Sequence, residues 1–385
     1  MKENVTMTGR DQELYAWIEE VVERRLSVVE FSVLCGKSYR QCQRILANVR
    51  RFGMVGVKHG NSGRVSKRRL PEAARETIRS LIRGKYQDFN LTHLREKLAS
   101  EEHIFVARET LRQIAHSVGT IKKTRRRRKK AYCLRPRMPR EGMLVQFDGS
   151  EHAWFTGSAL ISTLLGGIDD ATGKVLDLEF SCAEDTFSCM RVMRTIIETH
   201  GVPQAYYLDQ AGHFGKVNCE QSDTQIGRAL LETGSRTILA SAPQSKGRIE
   251  RLWGTLQDRL IAEMGLRGIN RIAAANAYLR GEFIADFNLR FSIPAREKEA
   301  AYKPLPYGLN LDLAFCIKSR RKVAPNQSFS FEGTTYVLQT SKDLRYRSVE
   351  ICAGETGALR FLVSGIEYNA VRAQDMVPKI FKLAV

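Results

Sequence analysis

The spacing of apolar residues changes near residue 143, and the order of the elements that follow constrains the fold more than any other feature. Before this point apolar residues recur at helical intervals, whereas after it three strand-like runs precede alternating helices and strands. The turn-forming run 169–174 joins the second and third of these runs, which predicts an antiparallel hairpin series. We predict strands over 144–148, 160–168, 175–180, 205–209 and 237–240, and helices over 186–199, 224–231 and 243–264.

Three meandering strands followed by βα units give the order βββαβαβα, which is the order of the ribonuclease-H-like fold. Short strands punctuated by glycine are predicted again over 323–377, where they favour a small β-barrel. The chain of 385 residues is therefore predicted to be a multidomain α+β protein. Its predicted parts are two helical domains over 1–60 and 61–120, a basic linker over 121–140, the α/β core over 141–292, a second linker over 293–322 and the barrel over 323–385.

The first helical domain has the pattern of a helix-turn-helix unit. A short helix ends at Cys35 and Gly36, and Ser38 then begins an amphipathic helix, so that a glycine-containing turn leads into a serine-capped helix. Side chains that face outward from such a helix read base edges and phosphates. The outward-facing candidates are Arg40, Gln41 and Arg44. A plain three-helix bundle is the alternative, and the positive charge of the region favours DNA binding.

The second helical domain repeats this pattern after a connector rich in glycine and basic residues. Helices are predicted from Pro71 to Ile82, over 91–98 and over 107–114. The exposed candidates on the last of these helices are Arg108, Arg112 and Gln113. Two helix-turn-helix units joined by a basic connector predict a bipartite DNA site.

The positive charge of the chain is confined to its first part. The formal net charge is +19, and residues 1–140 carry 33 basic and 14 acidic residues, which accounts for all of it. The densest basic run is Arg125, Arg126, Arg127, Arg128, Lys129 and Lys130. Such a run is often a solvated linker or a localisation tag. Its position between two patterned regions favours a linker that tracks DNA phosphates, and binding would then weaken steeply with salt.

Several classes of protein are excluded by composition. No window approaches the roughly 20 apolar residues of a membrane-spanning helix, and the first residues lack the apolar run of a signal peptide. The eight cysteines form no CxxC pair and no cluster with zinc-site spacing. We therefore expect a soluble cytoplasmic protein without disulfides or structural zinc.

Three acidic residues lie where the predicted fold would bring them together. Asp148 ends the first predicted strand, Asp209 ends the fourth, and Glu250 lies one turn into the last helix. Converging carboxylates repel one another unless a divalent cation lies between them, and a site made only of oxygen ligands suits Mg²⁺ or Mn²⁺. An acid near a strand end is more often a cap or a turn residue. Asp169 and Asp170 are rival acids that fit hairpin turn chemistry better.

The segments around these acids carry a resemblance to a known family. They are Gln146–Ser150, Leu208–Phe214 and Pro243–Arg251, and the last is similar to the signature P-Q-x-x-G-x-x-E-R of DDE transposases and retroviral-type integrases. The chain most closely resembles the ISNCY family of bacterial insertion-sequence transposases, which the runs Thr224–Leu230 and Leu256–Leu260 also resemble. The resemblance covers about the whole chain.

This resemblance implies the roles of particular residues. Asp148, Asp209 and Glu250 would be the catalytic triad and the ligands of two Mg²⁺ (or Mn²⁺) ions, which assist both attack and departure in phosphoryl transfer. The protein would bind the terminal repeats of its element, hydrolyse their 3′ ends and join them to target DNA. Two double-stranded DNA ends must be handled together, so a homodimer or a higher synaptic complex is expected on the bacterial nucleoid.

Roles can be suggested for three further residues near the acids. Lys246 is predicted to contact the DNA backbone, whereas Arg251 lies on a different face of the helix from Glu250 and is as readily structural. His213 either positions DNA or water, or is a surface loop histidine.

Two other functions are compatible with the fold. A catalytically inactive, transposon-derived DNA-binding regulator would keep the helical domains, and the intact acidic triad counts against it. A structure-specific nuclease would share the core, and the extensive predicted DNA-binding region counts against that.

Overall fold

The structure is a computed structural model that describes residues 7–58, 69–119, 135–157, 161–209, 214, 220–240 and 246–376. It shows a mixed α+β protein whose chain divides into two compact units, Met1–Thr77 and Ile78–Val385. Among the described residues no helix is both long enough and apolar enough to span a membrane.

The first unit is built from three helices, α1 (Gly9–Val22), α2 (Val28–Cys35) and α3 (Tyr39–Phe52), followed by a 3-10 turn over Gly53–Val57. The hydroxyls of Thr8, Ser27 and Ser38 accept hydrogen bonds from the first turns of these helices and so fix where each begins. Gly36 ends α2 in the left-handed conformation, with φ of 64°. The core is formed by Leu14, Ile18, Phe31, Cys42, Leu46, Val49 and Val57.

Three further helices follow the predicted pattern. These are α4 (Glu72–Arg83), α5 (Leu91–Ser100) and α6 (Arg108–Val118). The side chain of Asn90 accepts hydrogen bonds from the main-chain N–H groups of Thr92 and His93, which starts α5. Leu94 and Leu98 of α5 are buried, as are Leu111 and Ile114 of α6.

A five-stranded sheet is the centre of the second unit. Its strands are β1 (Val145–His152), β2 (Ser162–Asp169), β3 (Val175–Ser181), β4 (Ala205–Leu208) and β5 (Arg236–Leu239), in the spatial order β3-β2-β1-β4-β5. The first three strands pair antiparallel, whereas β1–β4 and β4–β5 are parallel. Helices α7 (Thr186–His200), α8 (Gln225–Thr233) and α9 (Gly247–Leu266) complete the chain order predicted from the sequence.

Successive side chains of β1 point to opposite faces of this sheet. Val145 and Phe147 pack with α7 and α8 on one face. Gln146, Asp148 and Ser150 point to the other face, which is covered by α9, α10 (Ile272–Tyr278) and α11 (Ile284–Phe291). A π-helical stretch over Leu279–Phe283 joins α10 to α11. β1 is therefore the strand that brings polar side chains beneath α9.

Side-chain amides cover the backbone at both edges of the sheet. Asn276 and Asn288 each accept from a main-chain N–H and donate to the carbonyl of the same residue of β3, Phe180 and Val175 respectively, at 2.7–3.0 Å. At the other edge Gln221 accepts from the N–H of Thr237 in β5 at 3.1 Å and donates to the carbonyl of Ser235 at 3.0 Å. These amides satisfy edge groups that would otherwise pair with another strand.

Gln221 also contacts helix α8, at Gly227. It also donates to the carbonyl of Gly227 at 3.1 Å, and the main-chain N–H of Gly227 donates to the hydroxyl of Thr224 at 3.0 Å. A Cβ atom at position 227 would lie 2.0 Å from the carbonyl oxygen of Gln221. Only glycine allows this close approach of the two backbones.

A buried acid on β3 gives the unit a pH-dependent stability. Asp177 is 3% exposed, and among the described residues its Oδ2 has no hydrogen-bond partner. Burial raises its pKa from the ordinary 3.8 to about 7; the facing Arg280 opposes this shift and the neighbouring Glu179 adds to it. Since the folded pKa is the higher one, the protonated form is favoured on folding, and stability is lost as pH rises towards 7.

We therefore expect Asp177→Asn to stabilise the protein at pH 8 but much less at pH 5. Between pH 5 and 7 the free energy of unfolding of the wild type falls by roughly 2–3 kcal/mol, whereas that of the variant does not fall. The measurement is the difference in Tm between variant and wild type at the two pH values. An equal difference at pH 5 and pH 8 would contradict the assignment.

The C-terminal part differs from the small barrel that was predicted. The strands β6 (Ile317–Lys322), β7 (Ser328–Phe331), β8 (Thr334–Leu338), β9 (Ser348–Ala353), β10 (Leu359–Val363), β11 (Ile366–Tyr368) and β12 (Ala370–Arg372) form two sheets, ordered β11-β10-β9-β6 and β12-β8-β7. Residues of both sheets share one core, including Phe329, Tyr336 and Phe361. No closed barrel is found in the described residues, since β11 and β12 have three residues each and are too short to join the two sheets.

Part of the predicted linker over 293–322 is also structured. It contains a short helix α12 (Leu311–Ala314) and the strand β6, whose sequence Ile-Lys-Ser-Arg-Arg-Lys shows no alternation of apolar residues. β6 lies at a sheet edge with Arg320, Arg321 and Lys322 exposed, so solvent rather than a second sheet faces these residues. Edge strands of this kind escape prediction by alternation.

Candidate active site

Helix α9 runs along β1 with its side-chain repeat matched to that of the strand. Three hydrogen bonds join them: Ile249 N to Gln146 Oε1 at 3.3 Å, Trp253 Nε1 to Asp148 Oδ2 at 3.2 Å, and Gln257 Nε2 to Ser150 Oγ at 3.3 Å. Four residues of helix advance about 6.0 Å and two residues of strand about 6.6 Å. Each hydrogen bond therefore lies four residues further along α9 and two residues further along β1 than the one before it, so the first turn of α9 lies beside Gln146 and the second turn beside Asp148.

Asp148 and Asp209 lie side by side at this place. The parallel pairing of Val145 with Tyr206 and of Gln146 with Tyr207 brings Asp148 level with Asp209 when it is continued by two residues. Burial raises the pKa of Asp148, and the charge of Asp209 raises it further, whereas Lys246 and Trp253 oppose the shift. The two carboxylates are thus close enough to interact electrostatically.

The strand that carries Asp148 is longer than expected. β1 continues to His152, so Asp148 lies within the strand, opposite Gly166 of β2, rather than at its end. Its pairing with β4, however, stops at Gln146. Asp148 therefore lies just beyond the end of the parallel ladder, and Asp209 directly follows β4 as predicted.

Lys246 is the closest cation to Asp148 among the contacts of the described residues. It precedes α9, is only 5% exposed, and its Nζ lies 2.7 Å from Asp148 Oδ1. Trp253 donates to the other oxygen of the same carboxylate. Sequence reasoning suggested a DNA contact for Lys246 and did not find this pair, because a contact across 98 positions leaves no local pattern.

Glu250 lies in the first turn of α9 and is exposed. It is four residues from Lys246 and therefore on the same side of the helix as the residue that reaches Asp148. The part of the chain that the structure describes contains no group of three acidic, histidine or cysteine side chains already arranged around a metal position. Asp148 and Asp209 are brought together, and Glu250 lies on the exposed surface of the helix that runs along β1.

Asp148 and Asp209 are the residues that could hold a divalent cation here. Two carboxylates approach each other at Asp148 and Asp209, and a shared cation would relieve their repulsion. Their ligand atoms are all oxygen, which suits Mg²⁺ or Mn²⁺. The ammonium of Lys246 now supplies positive charge at Asp148, so a cation bound there would compete with it.

The other basic residues around α9 have structural partners. Arg248 binds Asp170 through Nη1 at 2.8 Å, and the side chain of Arg251 donates to the carbonyl of Gly247 at 2.9 Å. Asp169 accepts from the N–H and hydroxyl of Thr172, which agrees with the predicted turn role. Asp170 instead binds residues far along the chain, a role that its turn-like sequence does not reveal.

The predicted DNA-binding residues of the helical regions lie on accessible surface. Arg40 and Arg44 of α3 are exposed and Gln41 is half-buried; Arg108, Arg112 and Gln113 of α6 are exposed. Arg112 pairs with Glu109 at 2.6 Å within the same helix. The basic run 125–130, His213 and residues 241–245 of the signature segment lie outside the described residues.

Curated proteins similar to this chain define its class. The protein named "Putative transposase y4bF" from Sinorhizobium fredii (strain NBRC 101917 / NGR234) is 34% identical over 348 residues, which cover 89% of this chain and 75% of that protein. The transposase for insertion sequence IS1202 of Streptococcus pneumoniae is 28% identical over 364 residues, covering 84% of this chain and 77% of that protein. Both relatives are named transposases, and the match extends over most of each chain.

The chain belongs to this family of transposases. A scan of protein-family models found no match. Among solved structures, a chain of a simian T-cell lymphotropic virus intasome in complex with PP2A regulatory subunit B56 gamma has a TM-score of 0.35 at 12% identity, covering 76% of this chain and 99% of that chain.

Proposed function

We propose that this protein is a DDE transposase that hydrolyses the 3′ ends of its element and joins them to target DNA. The observation that carries the proposal is the placement of Asp148 beside Asp209 at the end of the β1–β4 ladder, with helix α9 alongside β1. The strand order β3-β2-β1-β4-β5 is the order that a ribonuclease-H-like core would have. The family membership supports transposition, and the acids support the chemistry.

The three acids would hold two Mg²⁺ or Mn²⁺ ions, which supply charge neutralisation at the attacking and leaving oxygens of the phosphoryl transfer. The protein's own contribution is to hold Asp148, Asp209 and Glu250 on rigid elements, so that the scissile phosphate is bound in line for attack. The indole of Trp253 fixes the orientation of the Asp148 carboxylate by its hydrogen bond to Oδ2.

DNA recognition belongs to the basic N-terminal part in this proposal. Helices α2 and α3 form the first helix-turn-helix unit, with Arg40, Gln41 and Arg44 towards the DNA, and α4–α6 form the second, with Arg108, Arg112 and Gln113. The basic run 125–130 would contact phosphates, and Lys246 would do so only on leaving its pair with Asp148. Two copies or more would hold the two element ends.

An end-joining assay tests the proposal. The purified full chain is mixed with a labelled duplex of its element's terminal repeat and a target plasmid, in Mg²⁺, in Mn²⁺ or in EDTA. We expect joined product with either metal and none in EDTA, together with sequence-specific binding of the repeat that weakens with salt. Specific binding without any product in Mg²⁺ or Mn²⁺ would show an inactive DNA-binding regulator instead.

A further inference from the structure

Asp170 is a fully buried carboxylate on which four donor residues from three parts of the chain converge. Its Oδ1 accepts from Arg135, from Gln146 Nε2 at 2.7 Å and from Arg248 Nη1 at 2.8 Å. Its Oδ2 accepts from the main-chain N–H of Met138 at 2.9 Å. Asp170 has no exposed surface, so this arrangement is built into the interior. A hairpin turn alone would not require a buried carboxylate with two guanidinium partners.

Two of these partners are fixed to each other as well. Arg248 Nη2 donates to the carbonyl of Arg135 at 2.9 Å, and the guanidinium of Arg135 lies 5.8 Å from the ring centre of Tyr207 in β4. Arg135 and Met138 belong to the described segment that follows the basic run. The cluster therefore ties this segment, the β2–β3 turn, strand β1 and helix α9 together.

The start of α9 depends on the same cluster. Lys246 occupies the N-cap position but makes no side-chain capping bond to the helix. The N–H of Ile249, one of the first N–H groups that lack a partner within the helix, donates to Gln146 Oε1, while the other end of the Gln146 amide donates to Asp170. Gln146 thus acts as a cap supplied by the neighbouring strand, and Asp170 sets its orientation.

The geometry points to Asp170 as a positioning residue for the catalytic acids. Its partner Gln146 is two residues before Asp148, and its partner Arg248 is two residues before Glu250. By binding both, Asp170 fixes the first turn of α9 against β1 and so sets the distance between the two acids. This inference rests on the proposed DDE chemistry and adds a fourth acid that acts through other residues rather than on DNA.

The test compares Asp170→Asn with Asp169→Asn in the full chain. Asp169 is equally buried, but it binds Gly142 and Thr172 rather than α9, so it is a matched control for the loss of a buried carboxylate. We expect Asp170→Asn to lower kcat for end joining by about a hundredfold, with KM for the DNA end little changed, because small displacements of catalytic groups have effects of this size. Asp169→Asn should keep the kcat of its folded fraction.

A second measurement does not depend on activity. Hydrogen exchange of the main-chain amides in residues 247–250 should become about tenfold faster in Asp170→Asn, as expected when a hydrogen bond to a charged partner is lost. The same amides should be unchanged in Asp169→Asn. Adding Arg248→Gln to Asp170→Asn should recover part of the lost kcat, because it removes one of the two cations that the first change leaves without a carboxylate partner.

The outcomes separate the two proposals. If Asp170→Asn and Asp169→Asn show the same folded-fraction kcat and the same exchange of the α9 amides, the positioning role is overturned. If the wild type joins no ends but only Asp170→Asn loosens α9, the positioning role stands and the proposed catalysis fails. Absence of any recovery in the double variant would show that Asp170 does not act through Arg248.

Discussion

Replacement of Asp148 by Asn is expected to reduce end joining by about a thousandfold or more, while DNA binding is unchanged. The change removes the negative charge from one of two adjacent carboxylates but keeps the size of the side chain, so the site loses its electrostatic function and not its shape. The rate of joining in Mg²⁺ and in Mn²⁺ is the measurement, with the repeat duplex at saturating concentration. Retention of a rate within about tenfold of the wild type would exclude Asp148 as a catalytic residue.

The chain offers a matched control on the same strand. Glu151 lies three residues from Asp148 on β1 and is exposed, so Glu151→Gln removes the same charge outside the site and should leave the rate unchanged. Glu250→Gln is the third variant to be compared. It should be as inactive as Asp148→Asn, and if it still joins ends in Mg²⁺, the assignment of the triad is wrong.

The largest expected loss of stability comes from Gly227→Ala. A methyl group at this position would lie 2.0 Å from the carbonyl oxygen of Gln221 and 2.8 Å from the hydroxyl of Thr224, and a backbone carbonyl cannot move away as a flexible side chain would. Overpacking of this kind costs about 2–3 kcal/mol and outweighs the roughly 1 kcal/mol that alanine gains over glycine in a helix. The net loss of about 1–2 kcal/mol should lower the Tm by about 2–8 °C.

Gly254→Ala is the matched control for this prediction. Gly254 also lies within a helix, α9, but nothing is found within 4 Å of a Cβ atom built there. Alanine should therefore stabilise the protein by up to about 1 kcal/mol. If both variants shift the Tm in the same direction, the close approach between Gly227 and Gln221 does not determine stability.

The sequence predicted the order of elements well where the patterns are local. The apolar runs that lead up to Asp148 and Asp209 are short and bounded by acids or turns, and the helices have clear caps and apolar spacing. The same local reasoning singled out Asp148 and Asp209, which lie side by side just beyond the end of the parallel ladder. It could not predict β6, where charged residues occupy an edge strand, or the division of the C-terminal strands into two sheets.

The contacts that define the site could not be predicted in the same way. Lys246 binds Asp148, Trp253 orients it, and Arg248 binds Asp170. Each of these pairs joins residues 78 to 105 positions apart. Such pairs depend on how α9 lies along β1, a relation that follows from packing of the whole core. Asp170 shows this limit most clearly. The sequence suggests a turn role for both Asp169 and Asp170, and Asp169 is the one that makes the turn hydrogen bond.

The amides at the edges of the central sheet restrict how copies of this protein can assemble. Strand addition to β3 would have to displace Asn276 and Asn288, and addition to β5 would have to displace Gln221. A continuous intermolecular sheet through this core is therefore disfavoured at both ends. If two copies are to present two active sites to one target, their contacts must come from outside the edges of this sheet, and the spacing between the two cuts would be set by those contacts.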